Sequence, residues 1–362
     1  MRIFLTGATG AIGSMHLLDL VARRYDVICL VRGNSATDRL NRLAAIVGME
    51  IASQVNIVNG DVTQPLAGID ELTISALKGQ IDIIIHHAGS IKFDRKYQNE
   101  IMATNVGGTA NMLALAEIWR VKKFCYDSTA YTLNIEPRNP YEESKQIAEA
   151  MVLDWHGGQP MVWRPGIVIG RQSDGKSQGF NGYYGFFNGF FSLKVVLKQK
   201  WETEGRESCL KQGFEFDESG LLILNQPLYV DYSRESTLNL VPVDWVVKSM
   251  TDLMETARWG MAYNIVDNFP QKFAWVIERS LAILGVQGVK RLPHHNVDLV
   301  PSVFLRGVQE KINSRLERFW PYINHEPRFV SDAPTSAPVV DQALLQIILG
   351  YAMKMNFGHQ RK

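Results

Sequence analysis

Eight residues near the start of the chain constrain it most: Thr6-Gly7-Ala8-Thr9-Gly10-Ala11-Ile12-Gly13. The apolar run Arg2 to Leu5 stands directly before them and a helical pattern, Met15 to Arg23, directly after. A glycine turn between a strand and a helix lets backbone approach a bound group closely, and the helix N-terminus offers that group unpaired N–H donors and a positive dipole end. In this setting the turn predicts a pyrophosphate-binding loop at the edge of a parallel α/β sheet, the alternative being a plain glycine turn.

The rest of the first half agrees. Short apolar runs at Val27 to Val31, Val55 to Val58, Ile81 to His86 and Lys123 to Ser128 read, like Arg2 to Leu5, as strands buried on both faces. Helical patterns fill the gaps, Gly108 to Trp119 among them, and a further strand, Met161 to Arg164, follows a helix starting near Pro140. The alternation predicts an α/β fold: a Rossmann doubly wound parallel sheet over 1–170, with further sheet contributions from about 240–268. Residues 171–240 and 269–362 are expected to form a smaller, mostly helical C-terminal substrate domain. Gln226 and Pro227 there suggest a hairpin turn between Leu221 to Leu224 and Leu228 to Tyr232, and helical patterns run over Trp245 to Thr256, Lys272 to Leu284 and Pro301 to Phe319.

Charge and cysteine content exclude several classes. With 38 Lys plus Arg against 37 Asp plus Glu, the net charge of +1 gives nucleic acid no attraction. Cys29, Cys125 and Cys209 are too few and too scattered for a disulfide framework or a metal site, and read as reduced thiols of a cytoplasmic protein. Met1 to Leu5 leaves no room for a signal peptide before the glycine loop, and no apolar stretch reaches the roughly 18 residues of a membrane span.

Within the predicted site, Gly7, Thr9, Gly10, Ala11, Ile12 and Gly13 would hold the pyrophosphate of a dinucleotide. The second strand ends in Val31-Arg32-Gly33 with no acid to take a ribose 2′-hydroxyl, while Arg39 and Arg42 follow on the next helix. A guanidinium there suits a 2′-phosphate, so the expected cofactor is NADPH; otherwise Arg32 is a solvated surface charge. Asp61 and Val62 after the third strand, and Ala88 and Gly89 after the fourth, would line adenine and nicotinamide. His86 and His87, adjacent at a strand end, face opposite ways, which suits a packed histidine better than a metal pair.

Tyr141 and Lys145 stand four residues apart on a helix marked by Asn139 as N-cap, Pro140 in the first turn and Glu142 and Glu143 against the dipole. That spacing puts both side chains on one face. A nearby ammonium favours the phenolate, bringing Tyr141 toward proton exchange with a substrate oxygen. Upstream, Asp127-Ser128-Thr129-Ala130-Tyr131 supplies a hydroxyl for a carbonyl oxygen that gains negative charge; Thr129 takes that role, with Ser128 as the other candidate. Asn105 either braces neighbouring elements or joins a proton relay.

These motifs, in this order, resemble the extended short-chain dehydrogenase/reductase superfamily. Gly60-Asp61-Val62-Thr63-Gln64-Pro65, His87-Ala88-Gly89-Ser90-Ile91-Lys92-Phe93, Asn139-Pro140-Tyr141-Glu142-Glu143-Ser144-Lys145 and Arg164-Pro165-Gly166-Ile167-Val168-Ile169-Gly170 are similar to its branch of fatty acyl-CoA reductases and thioester reductase domains, the male-sterility NAD-binding branch. Val241-Pro242-Val243-Asp244 extends the likeness, and Phe319-Trp320-Pro321-Tyr322-Ile323 carries it faintly toward the C-terminus. The resemblance implies Thr129, Tyr141 and Lys145 as catalytic residues and places Pro165 and Ile167 at the cofactor. It implies reduction of an acyl thioester, on coenzyme A or a carrier protein, to an aldehyde, with a second reduction to the alcohol left open by the sequence.

Other readings keep the same residues: a sugar-nucleotide epimerase or dehydratase, a hydroxysteroid dehydrogenase, or a non-catalytic NADPH-binding sensor or scaffold. Phe180, Tyr183, Tyr184, Phe186, Phe187, Phe190 and Phe191 would line or cover an acyl channel as a glycine-hinged lid, or else form core. The apolar run Ala343 to Met355 is expected in the core, on a second subunit, or against a membrane surface as a peripheral contact.

Overall fold

Along the central strands alternate residues face opposite ways and both sets are apolar, so the sheet needs cover on both sides. The computed structural model describes residues 1–134, 136–292 and 302–359. They divide into two units: Met1–Val168 with Val241–Asn268 and Pro327–Pro338, and Ile169–Leu240 with Phe269–Glu326 and Val339–Lys362.

In the first unit, β1 (Arg2–Thr6), β2 (Asp26–Val31), β3 (Asn56–Asn59), β4 (Ile83–His86), β5 (Lys123–Asp127) and β6 (Gln159–Pro165) are joined by a seventh strand, Met261–Ile265. The order is Met261–Ile265, β6, β5, β4, β1, β2, β3, with every pairing parallel. The order reverses between β1 and β4, the crevice at which such sheets bind ligands. Ile3, Leu5, Cys29, Ile85, Cys125 and Trp163 pack on one face with α1 (Ala11–Ala22) and the helix Val243–Thr256. Phe4, Leu30, Ile84, Phe124, Tyr126 and Val162 pack on the other, against the helices Gly108–Trp119 and Pro140–Leu153. The edge strand β3 is an exception to burial on both faces, since Asn56 and Asn59 are exposed. Pro327–Pro338 returns to this unit although the sequence places all of 269–362 in the second; Asp332 accepts from the Asn264 N–H at 2.8 Å and donates its own N–H to the Asn264 carbonyl at 2.8 Å.

The second unit differs from expectation at the predicted hairpin. Leu222–Val230 is one strand, antiparallel to Phe214–Phe216 and parallel to Val286–Arg291. Its register against Val286–Arg291 shifts between Gln287 and Val289, so Gln226 and Pro227 lie in a bulge rather than a turn. Proline lacks the N–H a ladder needs and is tolerated there. Tyr183, Tyr184, Phe186, Phe187 and Phe190 are buried in the helix Tyr183–Glu204, Phe186 meeting Phe273 and Phe319 edge to face. Those five aromatics are therefore core, while Phe180 and Phe191 are half-buried. The helix Gln342–Lys354 buries Leu344, Leu345, Ile348, Leu349 and Ala352 against the helix Phe273–Leu284, which is the core alternative for the C-terminal run. The helix predicted from Pro301 is observed over Val303–Leu316, Pro301 itself lying outside the described residues. Cys29, Cys125 and Cys209 are unpaired and buried, and among the described residues no acid, histidine and cysteine cluster suits a metal and no helix is long and apolar enough to cross a membrane.

Candidate active site

The loop between β1 and α1 is held so tightly that Gly7 and Gly13 admit no side chain. Gly7 has φ of +74°, and a Cβ there would lie 2.7 Å from the Ala88 nitrogen; one on Gly13 would lie 2.2 Å from the Gly7 carbonyl oxygen. Gly10 donates its N–H to that carbonyl at 2.8 Å, and no side chain caps α1. The first-turn amides of Ala11, Ile12 and Gly13 are thus left for an anion, and the cradle fits a pyrophosphate. Thr9 is exposed on the same loop.

After β2, Arg32 is 66% exposed and touches Asp61 only at 3.4 Å. Arg39, on α2 (Ala36–Val47), packs its stem under Gly33, donates to the Gly33 carbonyl at 3.4 Å, and has a buried Nε with no partner among the described residues. Arg42 is exposed. Asp61 accepts from the N–H and hydroxyl of Thr63, which with Arg32 holds its carboxyl below the usual range despite burial. Val62 is buried against Gly108. Ala88 donates its N–H to the Thr6 hydroxyl at 3.2 Å, and Gly89 lies against Asn105 and Lys145.

The reacting end forms where β5 stops. The Asn139 side chain accepts from the Glu142 N–H at 3.0 Å, Pro140 opens the helix, and Tyr141 and Lys145 share the face turned to the strand end. Thr129 lies near enough to Tyr141 to favour its phenolate, and the Phe93 ring stands 5.7 Å from Tyr141. Lys145 donates to the Asp127 carbonyl at 2.5 Å and lies over the Tyr126 ring. Ser128 instead donates to Glu149 at 2.5 Å. Its hydroxyl is committed; that of Thr129 accepts from the Tyr131 N–H at 3.5 Å and keeps its own proton to donate. Asn105 spans Ser90 and Ser144, accepting from the Ser90 N–H at 2.6 Å and donating to the Ser90 carbonyl and the Ser144 hydroxyl. Of its two readings, bracing is the one the contacts fit, in a π turn over Ala103–Gly107. Pro165 ends β6 and Ile167 opens the short strand Ile167–Ile169.

One expectation is reversed. Burial raises the Tyr141 phenol well above its ordinary range, with the charges of Asp127 and Glu142 adding, while Thr129 only partly opposes them. Burial lowers the Lys145 ammonium, opposed by Asp127 and Glu149. The phenol is thus a firmly protonated donor rather than a near-phenolate.

Sequence reasoning passed over two groups. Glu149, one helical turn beyond Lys145, accepts from Ser128, from Thr132 at 3.0 Å and from Arg164 through Nε at 2.9 Å and a second, shorter contact. Its position four residues past Lys145, facing the same way, was the available signal. His16 is the other, on the buried face of α1.

Known proteins resemble the chain in sequence and in fold. The family model described as "Male sterility protein" matches residues 5–138 and 134–250. L-2-aminoadipate reductase of Schizosaccharomyces pombe is 27% identical over 288 residues, covering 69% of this chain and 18% of that protein. Isonitrile lipopeptide synthase of Mycobacterium tuberculosis is 31% identical over 192 residues, covering 48% of this chain and 8% of that protein. The chain therefore spans a small part of these curated relatives. Among solved structures, the terminal R domain of the myxalamid PKS-NRPS pathway superposes with a TM-score of 0.74 at 24% identity, covering 98% of this chain and 91% of that one. UDP-glucuronic acid 4-epimerase from Bacillus cereus gives 0.58 at 16% identity, covering 98% of this chain and 100% of that one. The family match runs through well over half of the chain, across the loop, the Thr129 strand end and the Tyr141–Lys145 helix, and the chain belongs to the male sterility protein family.

Proposed function

We propose that the chain is an NADPH-dependent reductase that converts an acyl thioester, carried on a protein, to the aldehyde. The observation that carries this reading is the grouping of Tyr141, Thr129 and Lys145 at the end of β5. A carbonyl oxygen seated between the two hydroxyls meets two donors aimed at the atom that becomes negative. Because burial keeps Tyr141 protonated, it enters the reaction able to give a proton, which is the direction reduction needs. Lys145 spends one N–H on the Asp127 carbonyl and has two more for ribose hydroxyls and for the charge that develops on Tyr141. Bound at the Gly7–Gly13 loop, the reduced nicotinamide supplies the hydride. The carbonyl carbon gains that hydride, the C–S bond then breaks, the sulfur takes up one proton, and aldehyde and thiol leave. A second hydride and proton would give the alcohol.

Arg32 and Arg39 support NADPH over NADH, since neither guanidinium is firmly held and both follow the strand end where the 2′-group lies. The isonitrile lipopeptide synthase and aminoadipate reductase relatives support a carrier-bound acyl group, and we assign acyl selection to the second unit. Purified protein mixed with NADPH and acyl-coenzyme A or carrier-bound thioesters tests the reading, with Tyr141→Phe beside it. NADPH loss that requires a thioester and is absent from the variant is expected. No loss with any thioester, with NAD retained through purification, would move the protein to the epimerase and dehydratase readings.

A further inference from the structure

Beneath the glycine loop, on the face of the sheet away from Tyr141, four buried or part-buried hydrogen bonds run in series. Thr251 donates its hydroxyl to Asp19 at 2.6 Å. His16 Nε2 lies 3.0 Å from the Thr251 oxygen, His16 Nδ1 lies 2.8 Å from His87 Nε2, and His87 Nδ1 lies 3.0 Å from Asp127 Oδ2. His16 and Thr251 are fully buried and the His87 side chain is 1% exposed. The chain of bonds ends at the last residue of β5, whose own carbonyl holds Lys145. The other Asp127 oxygen, Oδ1, is buried without a partner among the described residues. The backbone of His87 in turn lies against Gly7, where a Cβ would come within 2.8 Å of the His87 carbonyl carbon.

Proton counting makes this arrangement unusual. Each bond needs one proton, so four bonds need four. The Thr251 hydroxyl and two neutral imidazoles supply three when both carboxyl groups are ionised. Because Thr251 gives its proton to Asp19, His16 must donate from Nε2, which leaves its Nδ1 to accept from His87 Nε2. His87 Nδ1 then faces a carboxylate oxygen, and one additional proton has to lie between them. Burial, His87 and Arg23 hold His16 in its neutral form, so the additional proton is not lodged there.

We propose that the His87–Asp127 pair stores this proton and that its loss is linked to the oxidation state of nicotinamide bound above it. The inference rests on the nicotinamide reading of the site. A reduced ring is neutral and an oxidised ring is cationic; a carboxylate whose balancing proton has left favours the cation, and a proton-balanced pair favours the neutral ring. The charge of Asp127 reaches both Tyr141 and Lys145, so it also reaches the space they border. The other groups around the chain of bonds are Asp19 and Arg23 on α1, Asp252 and Glu255 on the helix Val243–Thr256, His86 on β4, and Tyr141 and Lys145 beyond β5. Arg23 bridges Asp19, Asp252 and Glu255 at the half-buried end, fixing the Asp19 charge there.

The test compares NADP+ and NADPH affinities by calorimetry between pH 6 and pH 9. Their 2′-phosphates titrate alike and cancel in the ratio. NADP+ is expected to gain on NADPH by roughly tenfold as pH rises, releasing a proton on binding, and His87→Gln is expected to flatten the ratio. If that variant does not fold, 15N spectra of histidine-labelled wild-type protein replace it: one imidazole protonated on both nitrogens, losing that proton with NADP+ but not with NADPH. A constant ratio with both nucleotides bound, a slope that survives His87→Gln, or only singly protonated imidazoles overturns the proposal. Failure of either nucleotide to bind overturns the cofactor reading instead.

Discussion

At the reacting end of the site the side chains around the phenol have short, fixed partners: Lys145 with the Asp127 carbonyl, Ser128 with Glu149, and Asn105 with Ser90 and Ser144. At the opposite end Arg32 is largely exposed and meets Asp61 only at 3.4 Å, and Arg39 has a buried Nε without a partner. The first arrangement fixes atoms before substrate arrives, as stabilising a brief charge requires. The second leaves guanidinium groups to order around a phosphate as it binds. The contrast separates a part that should respond to mutation through rate from one that should respond through affinity.

Tyr141→Phe probes it most strongly: kcat is expected to fall by about 10²–10⁴-fold with NADPH affinity little changed, read by single-turnover NADPH oxidation and a fluorescence titration. Equal losses in both would erase the distinction. Glu149→Ala strips Arg164 of its carboxylate and frees Ser128, and urea unfolding should show a loss of roughly 3 kcal/mol, because a mostly buried charge is left alone. A loss within the error of the measurement would mean the reacting end is not braced from below. Arg32→Ala is expected to weaken NADPH by about tenfold and leave NADH unchanged, a result that equal effects on the two nucleotides would contradict.

The mildest probe is pH. Burial lowers the Lys145 pKa and raises that of Tyr141, so on going alkaline Lys145 loses its proton first and Tyr141 keeps its own. The alkaline fall in kcat should therefore set in below the ordinary lysine range. In Lys145→Arg, whose guanidinium does not titrate there, that limb should move to higher pH, even at a lower maximum. An unmoved limb would assign it to another group.

What could be read from the sequence was local. The glycine loop, the Asn139–Pro140 helix start and the Tyr141–Lys145 spacing are set by neighbours a few residues away, and each stands where the pattern places it. What escaped was held by distant partners. Glu149 depends on Arg164 from β6, and His16 on His87 and Thr251, 71 and 235 residues along the chain. Gln226-Pro227 has turn chemistry, yet the partner strand Val286–Arg291 admits it as a bulge. Tyr141 was misjudged because desolvation is a property of the packed core and outweighs the lysine that spacing puts beside it.

The seventh strand of the sheet carries a cost in time. Until Met261–Ile265 has been synthesised, β6 is an open edge, although Met161, Val162 and Trp163 are fully buried in the finished unit. At ordinary rates of translation, residues 166–260 delay its partner by roughly 5–20 s. For that interval the nascent chain presents an apolar strand to any other chain in reach. Fragments ending before Met261 should accumulate as aggregates, and the yield of intact protein in a cell should depend on how well that edge is shielded while the ribosome is still at work.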